Sequence, residues 1–128
     1  MAPTEPRTHG ALPLSDRDRL EHMRAAAREA AGFAAGKTLA DIQSDRLLNR
    51  GLTHCLLELG EAAAKVTEPT RELLPSIPWR QIVGMRHRLV HVYCRTDPAL
   101  VYEVVARDLP VLLSQLDSFL SDQRDTSS

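Results

Sequence analysis

The sequence predicts an all-α protein, an antiparallel bundle of four helices. Apolar residues recur at spacings of three and four through most of the chain. No stretch alternates apolar and polar residues for long enough to make a useful strand. Three of the 8 prolines gather in "TEPTRELLPSIPW", so the helices are divided by a connector there. Aromatic residues make up only 4% of the chain, which leaves the core to Leu, Val, Ile and Ala.

The first helix is expected to start at Ser15, a capping residue, with Asp16 and Asp18 in the first turn where the helix dipole favours negative charge. Leu20, Met23, Ala27, Ala30 and Ala34 form its apolar stripe, and Gly36 is its stop. The second helix runs from about Ser44 to Val66 on Leu48, Leu52, Cys55, Leu59, Ala62 and Val66. Its segment "ELGEAAAK" is rich in small residues, which lets a neighbouring helix approach closely. The 67–77 connector has room for one short helical turn. Pro78 suits the first position of a third helix, whose buried stripe is Ile82, Met85 and Leu89. Asp97 and Pro98 signal the start of a fourth. Leu100, Val104, Leu112, Leu116 and Phe119 or Leu120 supply its inner face, and Pro110 is expected to kink it at a cost of about 3 kcal/mol.

At 128 residues the chain reads as one domain, a helical unit over 14–121 between disordered tails at 1–13 and 122–128. The 43% hydrophobic and 26% charged residues are ordinary for a soluble globular protein. The opening "MAPTEPRTHGALPL" lacks the basic start and apolar run of a signal peptide. No run reaches the roughly 18–20 apolar residues that span a bilayer. Cys55 and Cys94 are too few and too isolated for a disulfide framework. The expectation is a cytoplasmic protein with reduced thiols. A net charge of −1 provides no global field for nucleic acid, so any such binding must come from a local patch.

That patch is "GMRHRLVHVY", residues 84–93, which sets Arg86, His87, Arg88, His91 and Tyr93 among apolar residues. A helix advances about 100° per residue, which aligns Arg86 with Tyr93 and His87 with His91. Arg86 and His91 stand about 140° apart, so one straight helix would not bring them onto one small group. A second copy crossing about a two-fold axis could, which argues for a homodimer. Histidine can take a proton from a hydroxyl near neutral pH. Arginine presents a permanent planar cation to phosphate oxygens. Together they hold what RNA transesterification needs without a metal or other cofactor: a base for the ribose 2′-OH and a cation for the charge developing on phosphorus oxygens. Arg80, Arg88 and Arg95 enlarge the positive patch.

The stretch "MRHRLVHVY" resembles the R-x4-H-x-Y signature of the HepT-like branch of the HEPN superfamily, with Arg86, His91 and Tyr93 in the matching positions. "ELGEAAAK", "IPWRQIVGMRHRLVHVY" and "VARDLPVLLSQL" resemble the family's flanking segments, so the likeness covers roughly residues 16–120. His87 departs from it, standing where the family most often has asparagine. The resemblance implies a HEPN-like bundle and a ribonuclease toxin of a toxin–antitoxin pair. It implies Arg86 and His91 as catalytic residues, with His87 and Arg88 supporting the substrate phosphate. It also implies a homodimer whose two motifs face each other. The partner it implies is a MntA-like minimal nucleotidyltransferase that transfers AMP to Tyr93. An AMP group there would add bulk and negative charge beside Arg86, competing with substrate phosphate for that cation.

Other readings of the same residues stay open. The protein could be a non-catalytic adaptor that holds a nucleotidyltransferase or a nucleotide, or a purely structural helical dimer. His87, His91 and Cys94 have i, i+4, i+7 spacing and could hold a metal, but no fourth ligand is evident. Cys55 reads as a small core residue, and His9, His22 and His54 as surface or boundary residues. Glu61 could orient an arginine of the motif or be an ordinary exposed glutamate. Trp79 reads as the anchor of the third helix.

Overall fold

The computed structural model describes residues 14–89 and 97–127. Eight α-helices and one π-helical turn make up the described chain. They are α1 (Leu14–Ala34), α2 (Leu39–Ser44), α3 (Arg46–Ala64), α4 (Glu68–Glu72), α5 (Trp79–Val83), α6 (Met85–Leu89), α7 (Pro98–Glu103), the π-turn (Val104–Asp108) and α8 (Leu109–Ser127). No strand occurs among the described residues, so the all-α class expected from the sequence is what the chain adopts. No described helix is long and apolar enough to cross a membrane.

The bundle is built on α1 and α3, which run antiparallel. Asp16 at the start of α1 meets Thr67 just beyond the end of α3, while the Phe33 ring near the end of α1 covers Gly51 near the start of α3. Their facing stripes are those the spacing identifies: Leu20, Met23, Ala27 and Ala30 from α1, and Leu52, Cys55, Leu59 and Ala62 from α3, all buried. Leu112, Leu116 and Leu120 of α8 close the core, and Asp117 ties α8 to α1 by ion pairs with Arg24 at 3.4 Å and Arg28 at 2.9 Å. Gly36 adopts φ 74° just past α1, a left-handed conformation that glycine takes without a Cβ clash.

Several boundaries differ from expectation. The region before α3 holds a separate helix, α2. Thr38 caps it by accepting the Asp41 amide, and the Asp41 carboxylate accepts the Thr38 amide in return. Asp45 then caps α3, accepting the Leu48 amide at 3.1 Å, so α3 starts after Ser44 rather than at it. Helix α1 already includes Leu14, which puts Ser15 inside the first turn instead of at the cap. Pro78 is the cap of α5 rather than its first residue. The third helix is split at Gly84, although the Gly84 amide still bonds the Arg80 carbonyl and the Arg88 amide the Gly84 carbonyl. At Pro110 the fourth helix widens into a π-turn instead of simply kinking. Proline has no amide to donate to the preceding turn and its ring collides with the carbonyl four residues back. An i→i+5 turn ending on the Leu109 amide to the Val104 carbonyl absorbs both defects. Finally, α8 continues to Ser127, so residues 122–127 extend the helix where a disordered tail was expected. No glycine or proline follows Leu120 to stop it, and adding a residue to an existing helix costs little. The expected tail at 1–13 lies outside the described residues.

Asp16 does more than complement a dipole. It is fully buried and accepts the Thr67 amide at 3.1 Å, the Thr67 hydroxyl, and the Thr70 hydroxyl at 2.6 Å. Burial by itself would raise its pKa, but the hydrogen bonds outweigh it and hold the carboxyl below its ordinary value. Asp16 thus fastens α4, the connector helix, to α1. Asp16→Ala is expected to cost about 3 kcal/mol, because the donors lose their acceptor. A carboxyl held low contributes stability that is complete above its unfolded pKa, about 3.9, and is lost as pH falls through the folded value. The difference in urea unfolding free energy between wild type and variant should therefore shrink below about pH 4. A difference independent of pH would assign the effect to packing alone.

Candidate active site

The motif helix is held against α3 by a very close backbone approach. A Cβ placed on Gly60 would lie 2.7 Å from the Ile82 carbonyl oxygen and 3.2 Å from the Met85 Cβ. Only glycine lets α3 and the α5–α6 pair come so near. Ile82, Met85 and Leu89 fill the interface as a buried stripe, as their spacing predicts.

Burying Met85 and Leu89 turns the intervening residues outward. Arg86 and His87 are exposed, and no hydrogen bond or ion pair joins either side chain to another described residue. Arg88 sits differently. Its side chain is 29% exposed, with the guanidinium 4.0 Å from the Asp108 carboxylate and 3.8 Å from the Met85 sulfur. It lines a cleft of about 270 Å³ between α5–α6 and the π-turn, with Asp108 and Arg107 on the far wall. Arg86 and His87 are thus available to an anion from solvent, and Arg88 is partly engaged with Asp108. Residues 79–89 carry Arg80, Arg86, Arg88 and His87 with no acidic residue, a local positive surface on a chain of net charge −1.

His91 and Tyr93, together with Val90, Cys94 and Arg95, lie outside the described residues. The two flanks of this segment meet, since the Asp97 amide donates to the Leu89 carbonyl at 3.3 Å. Asp97 also caps α7 by accepting the Ala99 amide at 3.0 Å.

The profile of a ribonuclease family, the ribonuclease HepT-like proteins, matches residues 23–119, a span that takes in α6, the motif and α7. The chain belongs to the ribonuclease HepT-like family. Among its relatives, the candidate RNase TTE0752 of Caldanaerobacter subterraneus subsp. tengcongensis is 28% identical over 89 residues, covering 70% of this chain and 80% of the relative. The candidate RNase MJ1216 of Methanocaldococcus jannaschii is 26% identical over 90 residues, covering 70% and 74%. The candidate ribonuclease HepT of Thermococcus cleftensis is 27% identical over 106 residues, covering 83% and 96%. No solved structure matches the chain.

In this HepT-like chain His9 lies outside the described residues, and His22, His54 and Glu61 fall away from α6. Glu61 is exposed and lines a groove between α1 and α3, beside His22, Arg19 and Lys65, to which α5 and α6 contribute nothing. His54 is exposed and sits 3.5 Å from Glu58. Cys55 is buried, as expected of a core residue, and its thiol donates to Glu29 at 3.3 Å. Burial, that hydrogen bond and the nearby Glu29 and Glu58 charges push the thiol pKa up to about 12. Glu29, Cys55 and Glu58 are the one group among the described residues whose donor atoms could converge on a metal, all within 4.8 Å of one another. The sequence reading missed this trio because its members come from two helices. The Cys55 thiol donates its proton to a hydrogen bond with Glu29, and Glu58 faces His54.

Proposed function

We propose that this protein is a metal-independent endoribonuclease toxin of the HepT/MntA type, active as a homodimer. The observation that carries the reading is the family match across residues 23–119, together with Arg86 held outward on α6 without a partner among the described residues. His91 acts as general base: it takes the ribose 2′-OH proton as the 2′ oxygen attacks the adjacent phosphorus. The bond from phosphorus to the 5′ oxygen breaks and that oxygen takes a proton from water, leaving a 2′,3′-cyclic phosphate on one product and a 5′-OH on the other. Arg86 binds the non-bridging oxygens and stabilises the charge that accumulates on them. His87 and Arg88 support the phosphate, His87 from the exposed face and Arg88 from the edge it shares with Asp108.

Regulation in this reading comes from a MntA-like nucleotidyltransferase. The Tyr93 hydroxyl attacks the α-phosphorus of ATP and pyrophosphate leaves. The resulting AMP group carries a negative charge that occupies Arg86 and excludes RNA.

Purified protein should cleave RNA in the presence of EDTA and leave 2′,3′-cyclic phosphate ends, and His91→Ala should abolish the reaction. Cleavage that requires a divalent metal, or that persists in His91→Ala, would refute the assignment. Tight association with a nucleotidyltransferase, with no cleavage by the partner-free protein, would support the adaptor reading instead.

A further inference from the structure

Beside the motif, on the side of α5 nearest α4, lies an open cleft of about 620 Å³ that the nuclease reading does not use. Its centre is the Trp79 ring, which has the Arg71 guanidinium stacked over it, 5.4 Å from the ring centroid. Both groups are pinned in place. The Trp79 Nε1 donates to the Leu74 carbonyl at 3.0 Å. Arg71 donates to the Val66 carbonyl at 3.0 Å and the Ala63 carbonyl at 3.1 Å, capping the end of α3. The stack is therefore already ordered, and a planar ligand would not have to organise it. Val83, 36% exposed, adds aliphatic surface to the same cleft.

The polar rim has two signs. Glu68 and Glu72 stand on the α4 side, while Arg80 stands on the α5 side with Gly84, which is two residues from Arg86. Acidic groups next to a stacking surface repel phosphate but accept hydrogen bonds from exocyclic amino groups. The cations along α5–α6 attract the backbone.

We infer that the Arg71–Trp79 cleft is a nucleobase subsite, which takes an unpaired, amino-bearing base of the RNA whose phosphate is held at Arg86. This inference rests on the nuclease reading and adds a source of substrate preference to it. Single-stranded RNA is recognised largely by splayed bases stacking on aromatic rings and arginine planes. Adenine fits best, since it has a broad stacking face and an exocyclic amino donor for the glutamates; uracil has no such amino group.

Trp79 is the only tryptophan of the chain, so its emission reports on this cleft directly. Full-length protein is titrated with a short 2′-O-methyl oligoadenylate, which has no free 2′-OH and is not cleaved. Saturable quenching is expected. The oligouridylate, which stacks but offers no amino donor, should bind more weakly, and an abasic oligomer of equal charge at least about five-fold more weakly, the lower end of what stacking of one base contributes. The abasic oligomer should leave the emission unchanged. Arg80→Ala, an exposed change, should weaken oligoadenylate binding without reducing the quenching at saturation.

Binding of a labelled oligoadenylate that saturates by anisotropy while the tryptophan stays silent would overturn the subsite. So would equal quenching by the abasic oligomer, or no binding at all. Cleavage of ordinary RNA by the same preparation separates the two ideas. Cleavage with a silent tryptophan removes the subsite alone, and base-dependent quenching without cleavage removes the nuclease reading alone.

Discussion

Arg86→Ala is expected to slow RNA cleavage by about 10²–10³-fold, the usual loss when a fixed group stabilising transition-state charge is removed, with no change in the urea midpoint. The rate loss follows from the phosphate-clamp role proposed for Arg86, and the unchanged midpoint from where α6 places the residue. Met85 and Leu89 take the buried positions, so Arg86 projects into solvent and contributes no core packing. Its side chain makes no hydrogen bond or ion pair with another described residue, so its removal leaves no buried group without a partner. Substitutions of that kind usually change stability by less than about 0.5 kcal/mol. Arg86→Lys should fall between the two, because it keeps the charge and loses the planar fork that spans two phosphate oxygens. Single-turnover cleavage beside urea unfolding tests the pair of outcomes. An unchanged rate, or a rate loss matched by a loss of stability, would show that Arg86 is not the phosphate clamp.

Gly60→Val is expected to destabilise the fold by about 3 kcal/mol or more, the upper end of the cost of overpacking a core. A β-carbon at this position would sit 2.7 Å from the Ile82 carbonyl oxygen, closer than nonbonded atoms tolerate, and that oxygen belongs to backbone, which cannot swing aside. The α5–α6 pair must then move off α3, taking Arg86 with it, so cleavage should fall along with stability. Gly32 provides the contrast. It lies within α1, and a Cβ there would meet nothing within 4 Å. Gly32→Ala should therefore gain up to about 1 kcal/mol from helix propensity. Urea unfolding of both variants tests the comparison. Equal behaviour would mean that close approach at Gly60 does not control the α3–α5 contact.

These two glycines show how far sequence reading reaches. Spacing identified the buried faces of α1, α3 and α8 almost residue by residue, because periodic burial is a property of each helix alone. It also drew attention to the small residues around Gly60 as a place of close approach. It did not resolve α2, a helix of 6 residues with Ile42 as its one buried side chain, too short to show a period. The capping pair of Thr38 and Asp41 was nonetheless present in the sequence as a local sign. The π-turn was half visible: Pro110 announced a disruption but not its form, since a kink and a widened turn both relieve a missing amide.

For the candidate site, the sequence placed Arg86 and His87 on a helix beside buried residues, and they are exposed there. The convergence of Arg86 with His91 stays with the proposal, because His91 and Tyr93 lie outside the described residues.

By itself, then, the sequence determined the helical class, the apolar faces and the position of Arg86, His87 and Arg88 on a helix, all of which follow from the period of an α-helix and the chemistry of single residues. Tertiary structure alone decided that the buried Asp16 carboxylate would bind Thr67 and Thr70 from more than 50 residues away. It also decided that Arg71, tied to the end of α3, would stack on Trp79, and that Arg88 would turn toward Asp108. Each of these contacts joins different parts of the fold, and whether such groups meet depends on how the helices pack, which no local spacing encodes.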